Sequence, residues 1–372
     1  MPSDFLPAHG GQLRELATEF DIPETSLIDF SASIHPLPPS DALVATLCDA
    51  IRARKILTTY PDIHYSALKQ AIAEYAHVDA LAIAVGNGVM PLLDAAVRAL
   101  GLRKCLVPVP AFTEYRSILN ACGTEFCGLT GTPEREFSID IERVVARLKA
   151  TGAQAVLLAN PQSPSGRLMR AEELGRLHEA AFALGVTTIV DEAFIDYVPG
   201  ESMSKTAAES LGLVVLRSLT KFFAMPGLRV AYAVAHPETR VAIEAFVPAW
   251  PVDSIAAEAA RLALQDQASI AATREINARE RRWLADRLQS LGLRIFPSAA
   301  NYLLLKTDED RNGLDLWRRL IVEHRVVIRS CANFEGLDEH YFRIGVRTRF
   351  KNQFLVEALT EVLRSTSLPA TS

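Results

Sequence analysis

Short apolar runs alternate with helical segments along the middle of the chain, from about residue 80 to residue 235. Ala155–Ala159 and Leu213–Leu216 are apolar throughout, and Ala171–Leu184 between them has helical periodicity. A strand that is apolar at every position has both faces buried, and a helix between successive strands allows them to pair in parallel. The sequence therefore predicts an α/β fold whose large domain has a mostly parallel sheet covered by helices.

The pattern changes on both sides of this region. Residues 1–40 are rich in proline and are predicted to form an arm that lies on a larger body, so the large domain is assigned to residues 41–240. Residues 241–290, dominated by Ala, Glu, Arg and Leu, are predicted to be one or two long connecting helices. Residues 291–372 mix strand and helix patterns, which predicts a smaller α+β C-terminal domain.

Composition excludes several classes of function. The net charge of −5 gives no basic excess for binding nucleic acid or an anionic membrane surface. We find no apolar run near the ~20 residues of a membrane span and no signal-peptide pattern. The five cysteines contain no CxxC pair and the eight histidines no HxxxH spacing. We therefore expect a cytoplasmic protein with reduced thiols and no metal site.

Polar residues follow the predicted strands at the points where the strands end. These are Gly86-Asn87-Gly88, Asn160, Asp191 and Ser218–Lys221. In an open α/β sheet, ligands bind outside the carboxyl ends of the strands. Gly-Asn-Gly before a helix suits a phosphate, although it is also an ordinary turn.

Asp191 and Lys221 each have a chemical and a structural interpretation. Asp191 is either a buried carboxylate that needs a cationic partner or a helix N-cap. Lys221 precedes apolar residues, where a lowered pKa makes an amine a nucleophile toward carbonyls, unless it is a surface lysine packed over its neighbours. Arg229 either adds charge to a phosphate site or forms a surface ion pair. Together these residues suit pyridoxal 5′-phosphate. Its aldehyde reacts with a lysine, its pyridinium nitrogen binds an aspartate, and its phosphate binds a helix N-terminus.

Three segments carry a resemblance to a known family. Asn160–Gly166 resembles the Asn-Pro-x-x-Pro-Thr-Gly loop of fold-type I pyridoxal-phosphate aminotransferases, with Ser165 in place of Thr. Asp191–Phe194 and Ser218–Arg229 are similar to the next two motifs of that family, in the same order. The resemblance covers essentially the whole chain and implies the aminotransferase fold of type I.

Further segments resemble one branch of that family, which holds L-threonine-O-3-phosphate decarboxylase and histidinol-phosphate aminotransferase. His9–Gly11, Asp29–Leu37 and Ile328–Leu337 are similar to the decarboxylase. Ser33 and His35, within the second segment, stand where that enzyme usually has Asn. Phe194 replaces the tyrosine of the aminotransferase.

The resemblance implies decarboxylation of L-threonine O-3-phosphate to (R)-1-aminopropan-2-yl phosphate in cobalamin biosynthesis. The alternative is an aminotransferase that acts on histidinol phosphate or a related amino acid with 2-oxoglutarate. A cofactor-binding regulator without catalysis is a third possibility, but no fused DNA-binding segment is visible.

The resemblance also implies roles for individual residues in a homodimer with shared active sites. The catalytic residues are Lys221 and Asp191. The cofactor would contact Gly88, Val89, Phe112, Asn160, Asp191, Ser218, Thr220, Lys221, Arg229 and, from the neighbouring chain, Tyr60. The phosphorylated amino-acid substrate would contact His9, Gly10, Ser33, Asn160, Arg329, Arg343 and Arg347, with Arg343 on the carboxylate and the other cations on the phosphate. The structural alternatives are a core position for Phe112, turn packing for Tyr60 and an edge-strand ion pair for Arg343.

Overall fold

The computed structural model describes residues 6–365. The first five residues of the predicted arm and residues 366–372 of the predicted C-terminal domain lie outside the described residues. The strands within the described part are β1 Ile28–Asp29, β2 Ile83–Gly86, β3 Lys104–Val109, β4 Glu125–Thr130, β5 Ala155–Ala159, β6 Thr187–Asp191, β7 Leu213–Ser218, β8 Ala231–Ala235, β9 Arg294–Ile295, β10 Tyr302–Lys306, β11 Val326–Val327, β12 Arg329–Ser330 and β13 Tyr341–Gly345.

Helices connect and cover these strands. They are α1 Leu13–Glu19, α2 Asp41–Arg52, α3 Lys55–Thr58, α4 Ser66–Ala76, α5 Val89–Ala99, α6 Glu114–Ala121, α7 Ile141–Thr151, α8 Ala171–Phe182, α9 Ser204–Glu209, α10 Pro237–Glu244, α11 Ser254–Gln265, α12 Gln267–Gln289, α13 Gly313–His324 and α14 Arg349–Ser365. No helix in the described part of the chain is long and apolar enough to cross a membrane.

The large sheet has seven strands in the order β2-β8-β7-β6-β5-β3-β4. All pairs are parallel except those of β8, which runs antiparallel to both of its neighbours. The carboxyl ends of the six other strands therefore lie at one edge of the sheet. This confirms the predicted α/β fold with a mostly parallel sheet.

Burial on both faces explains why the strands are apolar throughout. Along β5, Val156 and Leu158 pack into the core on one face, with α4, α7 and α8. Ala155, Leu157 and Ala159 pack into the core on the other face, with α5 and α6. Because successive side chains of a strand point to opposite faces, both sets of positions must be apolar.

A second, smaller sheet is antiparallel throughout and has the order β12-β13-β10-β9. It shares a core with α12, α13 and α14, to which Leu16 and Phe30 of the N-terminal arm also belong. The arm is tied to this region by parallel pairing of β1 with β11. The boundaries at residues 40, 240 and 290 stay predictions.

Two stretches differ from the sequence predictions. Residues 241–290 contain the end of α10, a non-helical segment, and then the 12-residue α11 and the 23-residue α12. β4 has no counterpart among the predicted strands. It is an edge strand that carries Glu125, Gly128 and Thr130 and is only partly buried, so it lacks the apolar run that marks the central strands.

Gly313, the first residue of α13, is expected to tolerate no side chain. A Cβ added there would overlap the backbone oxygen of Glu339. We expect Gly313→Ala to lower the free energy of unfolding by about 1–3 kcal/mol, as overpacking does. Urea denaturation measures this loss. The matched control is Gly175→Ala inside α8, where a Cβ meets nothing within 4 Å and the change should instead stabilise by about 0.5–1 kcal/mol. Equal stability of the two variants would contradict the prediction.

Candidate active site

A cavity of about 440 Å³ lies at the carboxyl edge of the large sheet, between that sheet, the N-terminal arm and the small sheet. Twelve of the sequence-predicted site residues line it, namely His9, Gly10, Ser33, Val89, Phe112, Asp191, Ser218, Thr220, Lys221, Arg229, Arg329 and Arg343. Gly88, Asn160, Tyr60 and Arg347 are not among its lining residues.

Asp191 ends β6 and is almost fully buried. Its carboxylate accepts a hydrogen bond from the hydroxyl of Tyr115 (2.7 Å) and one from the backbone N–H of Ala193 (2.9 Å). Burial raises the pKa of Asp191, while these two bonds and the charge of Lys221 act in the opposite direction. The site thus holds a carboxylate that a further cation in the cavity would stabilise.

Lys221 follows β7 by three residues, and its amine has no hydrogen-bond or ion-pair partner within residues 6–365. Burial, together with the charges of Arg343 and Arg229, lowers the pKa of this amine to about 8. A lysine with such a pKa has a substantial neutral fraction near neutral pH and is a nucleophile toward carbonyl carbon.

A cluster of polar groups lies between the start of α5 and the end of β7. The hydroxyls of Ser218 and Thr220 are 2.7 Å apart. Gly88 is the N-cap of α5 and has a φ of +92°, a backbone conformation that favours glycine. A Cβ at this position would lie 3.1 Å from Nη2 of Arg229, so glycine also leaves room for the guanidinium. Free helix N–H groups, two hydroxyls and an arginine form an anion-binding corner.

Arg343 and Arg329 approach the cavity from the small sheet. Their Cα atoms are direct partners on the antiparallel strands β13 and β12. Arg343 donates weakly to the hydroxyl of Ser163 (3.3 Å) and the carbonyl of Ser31 (3.4 Å), and its Nε is buried without a partner. Arg329 donates to the Ala8 carbonyl (2.6 Å) and the Asn333 side chain (2.7 Å).

Neither arginine forms an ion pair with a carboxylate in the described part of the chain. Burial, with a further contribution from Arg343, lowers the pKa of Arg329 to about 10. Like charges directly opposite each other on paired strands are destabilising. The two arginines thus form a cationic pair that an anionic ligand would neutralise.

Three other predicted residues line the cavity in different ways. The ring of Phe112 packs edge-on against Tyr115, with ring centroids 5.8 Å apart. The hydroxyl of Ser33 is buried and has no hydrogen-bond partner. His9 lies 3.1 Å from a carboxylate oxygen of Glu114, so an acidic side chain contacts this part of the cavity lining.

The structure does not place Arg347 where the sequence prediction put it, on the substrate phosphate. Its guanidinium is buried and donates to the carbonyls of Asp29 (2.7 Å), Ile34 (2.7 Å) and Ala32 (2.8 Å), and it also forms an ion pair with the Asp29 carboxylate at 3.5 Å. With these donors used inside the protein, Arg347 fastens the N-terminal arm and does not present its charge to the cavity.

Asn160 and Tyr60 also lie outside the cavity wall. The Asn160 amide donates to the carbonyl of Met169 and accepts from its N–H, both at 2.9 Å, which leaves one N–H of the amide for a further acceptor. Tyr60 is 79% exposed and stacks on Trp250, with ring centroids 4.9 Å apart. Within one chain Tyr60 does not line the cavity that holds Lys221, so its predicted role requires a second chain.

Sequence reasoning missed several residues of the site. Tyr115 holds Asp191, Ser163 contacts Arg343, and the ring of Tyr302 lies under the Arg343 guanidinium at 5.1 Å. Tyr115 had no local signal, since Phe112 lies before α6 begins at Glu114 and the partner Asp191 is 76 residues away.

Arg347→Ala is expected to destabilise the fold. The change leaves several buried carbonyl groups of the arm without a donor, which should cost about 2–4 kcal/mol of unfolding free energy. Chemical denaturation measures the loss. The control is Arg176→Ala, an exposed position on α8, where a change within about 0.5 kcal/mol is expected. An Arg347→Ala protein of unchanged stability would contradict the structural role assigned to Arg347.

Known proteins are similar to this chain in sequence. The family model "Aminotransferase class I and II" matches residues 25–359. The threonine-phosphate decarboxylase of Salmonella typhimurium is 34% identical over 371 residues, which cover 96% of this chain and 97% of that protein.

Two solved structures are similar to this chain over most of its length. The L-threonine-O-3-phosphate decarboxylase of Porphyromonas gingivalis has a TM-score of 0.78 and 25% identity, covering 90% of this chain and 99% of that one. The histidinol-phosphate aminotransferase of Clostridium acetobutylicum has a TM-score of 0.83 and 28% identity, covering 91% of this chain and 100% of that one.

Proposed function

The chain belongs to the class I and II aminotransferase family, and from that membership we propose that it uses pyridoxal 5′-phosphate to decarboxylate L-threonine O-3-phosphate. The product is (R)-1-aminopropan-2-yl phosphate, an intermediate of cobalamin biosynthesis. The observation that carries the proposal is the pair of arginines, Arg329 and Arg343, which meets Lys221 in one cavity and has no carboxylate partner in the described residues.

The residues present fit the cofactor. Lys221 has an amine without a partner and a pKa near 8, as a nucleophile toward an aldehyde requires. The pKa of Asp191 is raised by burial, and a protonated pyridine nitrogen beside it would supply the missing cation. The corner formed by Val89, Ser218 and Arg229 offers the donors that a phosphate needs. The aromatic face of Phe112 could stack on the pyridine ring of the cofactor.

Pyridoxal 5′-phosphate, when bound, supplies an acceptor for the electron pair that is released when a bond to the Cα atom of an amino acid breaks. Asp191 would hold the pyridine nitrogen in its protonated form, and Tyr115 donates a hydrogen bond that keeps the Asp191 carboxylate in place. The buried environment strengthens this interaction because water does not screen it.

The chain's own residues then bind and orient the substrate. Arg343 binds the carboxylate through two parallel hydrogen bonds, a geometry for which a guanidinium is suited. Arg329, with His9, binds the phosphate. When the bond from Cα to the carboxyl carbon breaks, CO2 leaves and Cα needs a proton. Lys221 donates that proton, since its pKa of about 8 allows the amine to gain and lose a proton near neutral pH.

An aminotransferase acting on histidinol phosphate is the second candidate. It is favoured by the likeness to the solved histidinol-phosphate aminotransferase from C. acetobutylicum. The same lysine and aspartate serve both reactions. Phe194, which lines the cavity, has no hydroxyl to donate to a cofactor oxygen, and this counts against a typical aminotransferase.

Lys221 is expected to bind pyridoxal 5′-phosphate covalently. Borohydride should fix the cofactor to Lys221, as peptide mapping would show, and Lys221→Ala should give no such label. The rate of attachment should rise with pH up to about 8 and then level off, because the neutral amine reacts and its pKa is lowered to about 8. An ordinary lysine would keep gaining rate toward about pH 10.4. Lys351→Ala, at an exposed position, is the control. Labelling at another lysine would contradict the assignment.

The reaction itself is tested by giving the holoenzyme L-threonine phosphate with no keto acid. A decarboxylase releases CO2 and an amino alcohol phosphate over many turnovers, whereas an aminotransferase stops after one half-reaction. Arg343→Ala should lower kcat/KM about ten- to a hundredfold, as expected for the loss of about 1.5–3 kcal/mol from a charge-assisted bond. Turnover with histidinol phosphate and 2-oxoglutarate, without CO2 from L-threonine phosphate, would support the second candidate instead.

The active unit is proposed to be a homodimer in which Tyr60 reaches the cofactor phosphate of the neighbouring chain. The exposed stack of Tyr60 and Trp250 supports this proposal, since aromatic residues are enriched at protein–protein interfaces. Tyr60→Phe and Lys221→Ala should each be impaired, and mixing them under exchange conditions should restore activity through one intact site per hybrid dimer. No recovery, despite demonstrated exchange, would contradict a shared site.

A further inference from the structure

A second cavity, of about 430 Å³, lies away from the candidate active site. It is bounded by the end of α4, by the turn at residues 199–204 and by the start of α12, and Arg217 of β7 reaches its wall. The two cavities share no lining residue. Nothing in the proposed reaction uses this space.

Arg217 is the residue that points to a ligand. It is 97% buried, since its exposure is 3%. It forms an ion pair with Asp196, yet its Nε is buried and has no hydrogen-bond partner. Oδ2 of its partner Asp196 is likewise buried without a hydrogen-bond partner. The polar groups at this wall therefore do not fully satisfy one another, and a guanidinium that lines a cavity can bind a further acceptor there.

The other charges of the cavity wall favour an anion. Lys205 and Arg274 form no ion pair within residues 6–365, and Arg274 donates only to the neutral oxygens of Asp196 (the carbonyl, 2.9 Å) and Tyr75 (3.3 Å). Glu74 is the one carboxylate among the lining residues. Arg217 is neutralised by Asp196, while Lys205 and Arg274 together carry one more charge than Glu74.

A hydroxyl group completes the donor set. Ser202 and Ser204 both line the cavity, with their oxygens 2.9 Å apart. The Ser202 hydroxyl donates to the Glu192 carboxylate (2.6 Å), so the hydroxyl that remains for a ligand is that of Ser204. Guanidinium groups, an ammonium group and a hydroxyl together match the oxygens of a phosphate or carboxylate group.

We propose that this second cavity binds a small oxyanion, with a phosphate or carboxylate group held by Arg217, Arg274 and Lys205. The site is positioned to influence the catalytic segment. Arg217 directly precedes Ser218, and the Arg274 guanidinium lies 5.6 Å from the ring centroid of Phe222, the residue after Lys221.

Equilibrium dialysis of the holoenzyme against labelled inorganic phosphate tests the proposal. Because Arg329 of the active cavity also offers a phosphate site, wild type should show two classes of site. Lys205→Gln should weaken one class about threefold to tenfold and Arg274→Gln about tenfold or more, the range for loss of a charged donor. Arg329→Gln should weaken only the other class. Lys351→Gln, an exposed lysine on α14, is the matched control and should change neither.

Dialysis against labelled acetate separates the two ligand types. Acetate binding that Lys205→Gln weakens indicates a carboxylate site, and phosphate binding alone indicates a phosphate site. If Arg274→Gln folds poorly, the result with Lys205→Gln is decisive, because Lys205 is exposed and its substitution should not affect folding. The proposal is overturned if phosphate and acetate both fail to bind there, or if all binding depends on Arg329 and is unchanged in Lys205→Gln. Because neither result involves turnover, failure of the proposed reaction would leave this test intact.

Discussion

Parallel pairing of β5, β6 and β7 is the constraint on which the candidate site depends. The register aligns Ala159 with Asp191 and Asp191 with Leu216, so the three strands end side by side. Asn160, Asp191 and Ser218 therefore meet at one edge, although they are far apart in the chain. The apolar cores on both faces fix this register, since a slip by one residue would exchange the faces of every side chain. Packing energy thus positions a carboxylate that burial alone would disfavour.

The edge of the sheet becomes a cavity only because two other parts of the chain cover it. The arm pairs with the small domain through β1 and β11. The Arg347 guanidinium also donates hydrogen bonds to backbone carbonyls of the arm. The small sheet adds Arg329 and Arg343. The charges of Arg343 and Arg229 act on Lys221 across the cavity and help to lower its pKa. The cations that make the cavity suited to anionic groups therefore also help to keep the lysine amine reactive.

Much of the fold could be predicted from the sequence, because the central strands are apolar runs and their helices have clear periodicity. β4 could not, since an edge strand has no such run. Half of the cavity-lining residues were also predicted. Asp191 and Lys221 could be predicted because they follow strand ends, whereas His9, Arg329 and Arg343 were predicted only through the family resemblance. Arg347 was assigned wrongly for a physical reason. Arg347 is four residues after Arg343, and in a continuous strand both side chains would point to the same face of the sheet. Because β13 ends at Gly345, this rule no longer fixes the direction of the Arg347 side chain. Tyr115 lies 76 residues from Asp191, a distance that local patterns do not bridge.

The choice between decarboxylation and transamination depends on where the two anionic groups of a substrate are held. Arg329 and Arg343 are register partners, and directly opposite residues on antiparallel strands have Cα atoms only about 4.5–5.5 Å apart. L-Threonine phosphate carries its carboxylate and its phosphate on adjacent carbons, so both groups can be neutralised by neighbouring arginines. Histidinol phosphate has no carboxylate and would leave one of these cations unpaired, which is costly in a buried site. The arrangement of the two arginines therefore favours the substrate whose carboxylate can be lost.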